Sequence, residues 1–122
     1  MDPQPVTLTF PAAAEYLRLA RIATADAASR AGLDYEEIDD ARIAVSELCS
    51  VVSVDAATTV KLWFRVAPGM LVVEGESHTG DDAISVNELS AAIVGAVSDD
   101  HSLGTAAGVT RFSITKRSRR LT

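Results

Sequence analysis

Residues 34–54 read DYEEIDDARIAVSELCSVVSV. Asp34 followed three residues later by Glu37 has the form of a capping box, in which the Asp accepts a free backbone N–H and the Glu reaches back. The stretch therefore begins as a helix. Its apolar residues are spaced three and four apart, which predicts one buried stripe running to about Val54: Ile38, Ala41, Val45, Leu48 and Val52.

The chain before this helix predicts a strand and another helix. Residues 6–10 alternate apolar side chains with threonines and stop at Pro11, which is the pattern of a half-buried strand. Residues 12–31 are rich in Ala, Leu and Arg and end before Gly32. This composition is typical of an amphipathic helix with a glycine stop.

A hairpin is predicted after the quoted helix. In residues 60–66 the apolar Val60, Leu62, Phe64 and Val66 alternate with Lys61, Trp63 and Arg65, and a second run covers residues 70–76. The intervening Ala67-Pro68-Gly69 contains a Pro-Gly pair, which favours a tight turn. The two runs therefore predict an antiparallel pair of strands. A polar loop that contains Gly80 follows them.

The last third of the chain predicts one helix and one strand. Ser85 with Glu88 repeats the capping-box spacing ahead of an apolar run. Residues 99–108 are polar and predict a loop, and residues 109–115 alternate as a closing strand. The element order β-α-α-β-β-α-β predicts an α+β two-layer sandwich, a mixed, mostly antiparallel sheet with three helices on one face.

Length and charge predict one acidic domain with a basic end. The 122 residues, 48% of them hydrophobic, are enough for a single core. All 17 acids lie at or before Asp100 together with six bases, whereas five bases lie within residues 111–120. We expect a single domain over residues 1–116 and a solvated basic tail over residues 117–122. The chain up to Asp100 is so acidic that it repels nucleic acid at long range, which argues against direct nucleic-acid binding.

We recognise no sequence motif for export, membrane insertion or metal binding. The single cysteine, Cys49, allows no internal disulfide and predicts a reducing, cytoplasmic setting. Its place on the apolar helix predicts a buried, inert thiol. No run approaches the roughly 18 apolar residues of a membrane helix. His78 and His101 are both placed in loops without a second ligand at helical spacing, so no metal site is predicted.

The segment from Asp39 to Ser50 carries a family resemblance. It resembles the N-box helix of the RsbW and SpoIIAB type anti-sigma factors, serine-protein kinases of the histidine-kinase-like ATPase (GHKL) superfamily, above all through Ala44-Val45-Ser46-Glu47. The order of elements, the Pro-Gly hairpin and the closing strand after a Gly are also similar. The resemblance implies a nucleotide pocket between helices and sheet. It also implies a bacterial regulator that sequesters a sigma factor and is released by an anti-anti-sigma (STAS) partner.

The resemblance assigns roles to single residues. Glu47 falls on the family's catalytic carboxylate, the general base for a substrate serine. Val51 stands where the family has an Mg²⁺-binding Asn, and it offers no oxygen, so no metal ligand is predicted there. Glu76 falls on the family's adenine acceptor. Gly80 is the glycine that remains of the D-x-G-x-G motif, and His78 replaces the other.

A later glycine motif of the family falls near residues 89–91, which contain no glycine. ATP needs a metal ion and backbone N–H groups around its phosphates. We therefore expect ATP or ADP with Mg²⁺ to bind weakly or not at all. Whether the chain is an enzyme stays open at this point, and the losses favour a protein that is not one.

Binding to another protein does not need the nucleotide pocket. In the family a basic residue on the first helix contributes to the sigma-binding surface, and Arg21 is the best match, with Arg18 one turn earlier. The planar fork of arginine pairs well with carboxylates. Trp63 projects from the strand face opposite Leu62 and is a candidate anchor for a partner or a homodimer, or else it merely covers the sheet.

Three functions remain open from the sequence. The first is a cytoplasmic anti-sigma regulator that has lost most of its nucleotide chemistry and works by stoichiometric protein binding. The second is an active serine-protein kinase that phosphorylates an anti-anti-sigma protein, with Glu47 as general base. The third is a non-catalytic sensor or accessory domain.

Overall fold

The computed structural model describes residues 4–53, 57–80 and 88–119. Within these ranges the elements are, in chain order, β1 (Val6–Pro11), a 3₁₀ turn (Ala14–Tyr16), α1 (Leu17–Arg30), α2 (Tyr35–Val52), β2 (Thr59–Ala67), β3 (Met70–His78), α3 (Glu88–Val97), β4 (Asp100–Ala106) and β5 (Val109–Arg117).

The strands form one five-stranded sheet in the order β1-β2-β3-β5-β4. Every strand pairing in the described part of the chain is antiparallel, where the sequence predicted a mixed, mostly antiparallel sheet. α1 and α2 pack on the sheet, and α3 packs on α2 and β4. The predicted α+β architecture of helices against a sheet is confirmed.

The strand β4 corrects the prediction of a loop over residues 99–108. Its residues pair in register with β5, from Asp100 opposite Thr115 to Ala106 opposite Val109. β4 lies at the edge of the sheet, and most of its side chains are exposed. An edge strand of this kind shows no apolar alternation, so the sequence pattern did not reveal it. The observed order ends in two strands instead of one.

Ala107 and Gly108 form the turn between β4 and β5. Their φ angles are +54° and +77°, and a two-residue hairpin turn of type I′ requires both to be positive. The usual residues for such a turn are Asn-Gly or Asp-Gly. Because alanine rarely adopts this conformation, the sequence carried no hairpin signal here.

The capping box that begins α2 is confirmed. Oδ1 of Asp34 accepts from the N–H of Glu37 at 2.8 Å, and Oε1 of Glu37 accepts from the N–H of Asp34 at 2.8 Å. α1 begins later than predicted, at Leu17, because residues 14–16 form the 3₁₀ turn. The capping box predicted at Ser85 lies outside the described residues.

The core lies between the helices and the inward face of the sheet. Its largest fully buried apolar side chains come from α2 and from the central strands: Val45, Val52, Val60, Leu62, Phe64, Leu71, Val73 and Ile114. Phe112 on β5 lies opposite Gly75 on β3, and a Cβ at position 75 would overlap the Phe112 ring. The glycine therefore makes room for the aromatic ring.

The basic residues near the end of the chain contact acids, as far as they are described. Lys116 is buried, and its Nζ lies 3.0 Å from Oδ2 of Asp40 on α2. The N–H of Arg119 donates to Oε2 of Glu37 at 2.7 Å. Residues 117–119 of the predicted solvated tail thus contact the domain, and residues 120–122 lie outside the described ranges.

Candidate functional site

α2 places Glu47 at the margin of its buried stripe. The neighbouring Leu48 packs into the core, while Glu47 is half-buried. Oε2 of Glu47 accepts a hydrogen bond from Oγ of Ser90 on α3 at 2.9 Å. The carboxylate that the resemblance assigns as general base is therefore engaged by a serine hydroxyl of the same chain.

Val51 lies one helical turn after Glu47 and is half-buried near the end of α2. Its hydrocarbon side chain supplies no oxygen to a hard cation. Across residues 4–53, 57–80 and 88–119, no group of three or more His, Cys, Asp or Glu side chains comes together as a metal site would require. Val51 thus does not fit the ligand position that the resemblance implies.

β3 places Glu76 on the sheet face opposite the helices. Its neighbours Gly75 and Ser77 are buried on the helix-facing side, so the strand alternation turns Glu76 outward. Oε2 of Glu76 accepts from Nε of Arg111 at 3.0 Å. The structure does not bring Glu76 to Glu47, and its role as an adenine acceptor stays a prediction.

Gly80 has a φ of +88° and open space where a Cβ would lie. Its N–H donates to the carbonyl of Gly108 at 3.1 Å, and the N–H of Thr79 donates to the same oxygen at 3.0 Å. The hydroxyl of Thr110 lies 2.6 Å from that of Thr79 and 2.7 Å from that of Thr105. The backbone donor at this glycine is thus already used by the turn between β4 and β5.

A groove follows the exposed side of α1 and α2, and we name it the arginine groove. It consists of two hollows of about 330 and 370 Å³ that share Arg21 and Arg42. The first hollow also contains Arg18 and Ile22. The second reaches Ile43, Ser46 and Glu47. The structure therefore brings the predicted Arg18 and Arg21 to the same surface as Glu47.

The charges of the arginine groove are unevenly paired. Nη1 of Arg42 lies 3.4 Å from Oδ1 of Asp39, and Nε of Arg21 donates to Oγ of Ser46 at 3.0 Å. Arg18 and Arg21 pair with no carboxylate in the part of the chain that the structure describes. Beside them, Ile22 is 60% exposed.

Sequence reasoning missed two participants of this surface. Arg42 joins Arg18 and Arg21 only because α1 and α2 pack side by side, and no spacing along the chain signals that. Ser90 meets Glu47 across 43 positions of sequence. The sole signal at Ser90 was negative, since the segment lacks the glycines expected from the resemblance.

Trp63 lies on the outward face of the sheet and is half-buried. Nζ of Lys61 lies 5.0 Å from the centre of its rings, and Arg65 forms an ion pair with Glu74 on the neighbouring strand. Lys61 and Trp63 make a cation–π contact of ordinary length. The role of Trp63 as an anchor for a partner stays a prediction.

Cys49 is buried, as predicted, and burial raises the pKa of its thiol to about 12. The thiol is therefore neutral near pH 7, and since the thiolate is the nucleophile, it is inert. His78 ends β3 and His101 belongs to β4, so both exposed histidines lie on strands and not in the predicted loops. None of the described helices is long and apolar enough to cross a membrane.

Comparisons with known proteins find relatives in sequence and in fold. No family model matches the chain. The serine-protein kinase RsbW of Listeria monocytogenes is 52% identical over 42 residues, which are 34% of this chain and 27% of that protein. RsbW of Halalkalibacterium halodurans is 33% identical over 68 residues, 53% of this chain and 42% of that protein. A crystal structure of the RsbU and RsbW domains of a Mycobacterium tuberculosis protein matches with a TM-score of 0.70 and 18% identity, covering 98% of this chain and 35% of that chain. The chain is similar to proteins of the RsbW type.

The RsbW type agrees with the resemblance carried by residues 39–50, which is thereby confirmed. The fold, helices against an antiparallel sheet, fits the histidine-kinase-like ATPase fold. The matched segments span 27 to 42% of the curated RsbW proteins. The similarity therefore supports the RsbW type and shows the fold, and it transfers no activity or partner by itself.

Proposed function

We propose that this RsbW-type domain is an anti-sigma regulator that binds and sequesters a sigma factor, is countered by an anti-anti-sigma (STAS) protein, and acts by stoichiometric binding. The observation that carries the proposal is the arginine groove. Two of its arginines, Arg18 and Arg21, pair with no carboxylate among the described residues, and the exposed Ile22 lies beside them. This combination suits a partner surface that is acidic and apolar.

The distribution of charge strengthens that argument. Three of the six bases that precede residue 100 line the arginine groove, although the chain carries a net charge of −6. The other three are engaged elsewhere, since Arg30 pairs with Asp26, Arg65 pairs with Glu74, and Lys61 lies over Trp63. Within the described ranges, the groove thus presents two arginines without a carboxylate partner, next to Arg42, which pairs with Asp39.

The residues at the nucleotide positions that the resemblance implies support a protein without efficient phosphoryl transfer. Val51 supplies no oxygen for Mg²⁺, Gly80 donates its N–H within the chain, and Ser90 already bonds Glu47. A triphosphate needs a bridging metal and free backbone donors in place of its water shell. The proposed domain therefore binds ATP or ADP weakly or not at all, and Glu47 has no catalytic task.

Titration of the purified chain against the sigma factors of its own organism tests the binding proposal. We expect one of them to bind with a Kd in the micromolar range or below. Arg21→Glu should weaken that complex by at least about tenfold, because like charges across an interface repel. Arg30→Glu is the matched control, since it reverses a charge on the same helix at an exposed pair outside the groove. Equal losses in both variants, or no binding by any sigma factor, contradict the proposal.

Calorimetry with Mg-ATP tests the loss of nucleotide chemistry separately. We expect no heat of binding at micromolar nucleotide. A micromolar Kd, or a phosphoserine on an anti-anti-sigma protein that disappears in Glu47→Gln, would favour the active kinase instead. The proposal also includes a cytoplasmic location, which rests on the single buried cysteine, and it leaves homodimer formation through Trp63 as a separate prediction.

A further inference from the structure

The helix α3 is held to the domain by few apolar contacts. Val94 is its sole fully buried side chain among the described residues, and Leu89 is 70% exposed. A hollow of about 400 Å³ lies beside it, lined mainly by apolar side chains including Leu48, Val94 and Leu103. Elements with few buried apolar contacts open at lower free energy than the rest of a fold.

Two polar contacts fasten the ends of α3. Near its beginning, Oγ of Ser90 donates to Oε2 of Glu47 at 2.9 Å. At its end, Nζ of Lys116 donates to the carbonyl oxygen of Val97 at 3.1 Å. Both contacts tie α3 to neighbouring elements, α2 in the first case and β5 in the second.

The contact that Lys116 makes is the stronger of the two. Only 4% of its side chain is exposed, and its Nζ also lies 3.0 Å from Oδ2 of Asp40 on α2. A cation at the last carbonyl of a helix is favoured by the helix dipole. The ammonium group therefore links the end of α3 to the first half of α2 through charge and hydrogen bonding together.

We propose that α3 is a latch over the Glu47 carboxylate, and that Lys116 is the catch that keeps it closed. Opening of α3 removes the Ser90 hydroxyl from Glu47 and uncovers Leu48 on α2 and Leu103 on β4, which line the hollow together with Val94. Closing restores both contacts. The proposal goes beyond the binding function of the arginine groove, because it concerns a motion of the isolated domain and needs no partner.

Hydrogen exchange on the full chain tests this device. In Lys116→Met we expect the amide hydrogens of α3 to exchange at least tenfold faster than in the natural chain, while those of α1, β2 and β3 keep their rates. Arg117→Gln is the matched control, because it removes the neighbouring cation, whose exposed side chain pairs with Asp100 and not with α3. The control should leave the α3 rates unchanged.

Labelling of Glu47 by a water-soluble carbodiimide with glycine methyl ester provides the second readout. We expect several-fold faster labelling of Glu47 in Lys116→Met and in Ser90→Ala, measured by mass spectrometry of peptides. Unchanged labelling in both variants overturns the latch, and so does faster exchange spread evenly over α1 and the sheet. If Lys116→Met does not fold, Ser90→Ala decides, since removing a partly exposed hydroxyl leaves the core intact.

Discussion

The ring of Phe112 covers Gly75 on the neighbouring strand so closely that position 75 has no room for a Cβ. The two residues share the helix-facing side of the sheet, where Leu62 lies opposite Gly75 on β2. A glycine inside a strand usually weakens it, because it has no side chain to pack. Here the aromatic ring takes the missing volume, and the pair acts as one unit of the core.

Gly75→Ala should therefore lower the free energy of unfolding by about 2 to 3 kcal/mol, because the added methyl group forces the Phe112 ring out of place. Urea unfolding followed by circular dichroism measures the change. Gly104→Ala is the control, since nothing lies within 4 Å of the Cβ it would add. The control should stay within about 0.5 kcal/mol of the natural chain. Equal effects at both positions would contradict the account of the pair.

Glu37 offers a second prediction, because its carboxylate is fully buried. It accepts from the N–H of Asp34 at 2.8 Å and from the N–H of Arg119 at 2.7 Å. Glu37→Ala leaves both donors without this acceptor, so we expect a loss of about 2 to 3 kcal/mol in unfolding free energy. Glu36→Ala, at an exposed residue of the same turn, should change little. A thermal or urea series on the two variants compares them directly.

The turn between β4 and β5 predicts a stabilising substitution. Ala107 has a φ of +54°, a conformation that costs an alanine roughly 1 kcal/mol and that asparagine adopts more readily. Ala107→Asn should raise the unfolding free energy by about 0.5 to 1 kcal/mol. Ala106→Asn, one residue earlier in extended backbone, should bring no gain. A stability curve in which both variants gain alike would argue against strain at Ala107.

Cys49 predicts a pH dependence of chemical labelling. Burial raises the pKa of its thiol to about 12, so the thiolate is scarce in the folded protein until the pH approaches that value. A thiol-specific disulfide reagent at pH 8 should react slowly with the native chain, and quickly once urea unfolds it. The rate in the native state should follow the unfolding equilibrium. Complete labelling of the folded protein within minutes would contradict the burial.

Local signals in the sequence were enough for most of the fold. Residues close together in the chain determine two features, the capping box of Asp34 and Glu37 and the turn at Pro68-Gly69. Both can therefore be predicted from the sequence without the structure. β4 was missed because most side chains of this edge strand are exposed and its turn uses Ala107 where asparagine is usual. Its pairing depends on β5, which is information that no short segment of β4 contains.

The candidate site was less accessible to sequence reasoning. Glu47 and Arg21 were chosen because the family resemblance pointed to them. The outward direction of Glu76 follows from the alternation of β3, in which Leu71, Val73 and Gly75 face the helices. Residues 70–73 are all apolar, so the sequence does not show this alternation, which the burial along the strand does. The contact of Ser90 with Glu47 depends on how two helices pack, and no single segment encodes it.

The contacts of Lys116 and Arg119 also govern when the domain can finish folding on the ribosome. Glu37 and Asp40 leave the ribosome early, yet they meet partners that lie 82 and 76 positions further along the chain. Contacts of such long range form late, since the intervening chain must close first. A nascent chain that has released α1 and α2 but not β5 and Arg119 therefore holds two carboxylates that are still hydrated. The later contacts bury Glu37 fully and leave a quarter of the Asp40 side chain exposed.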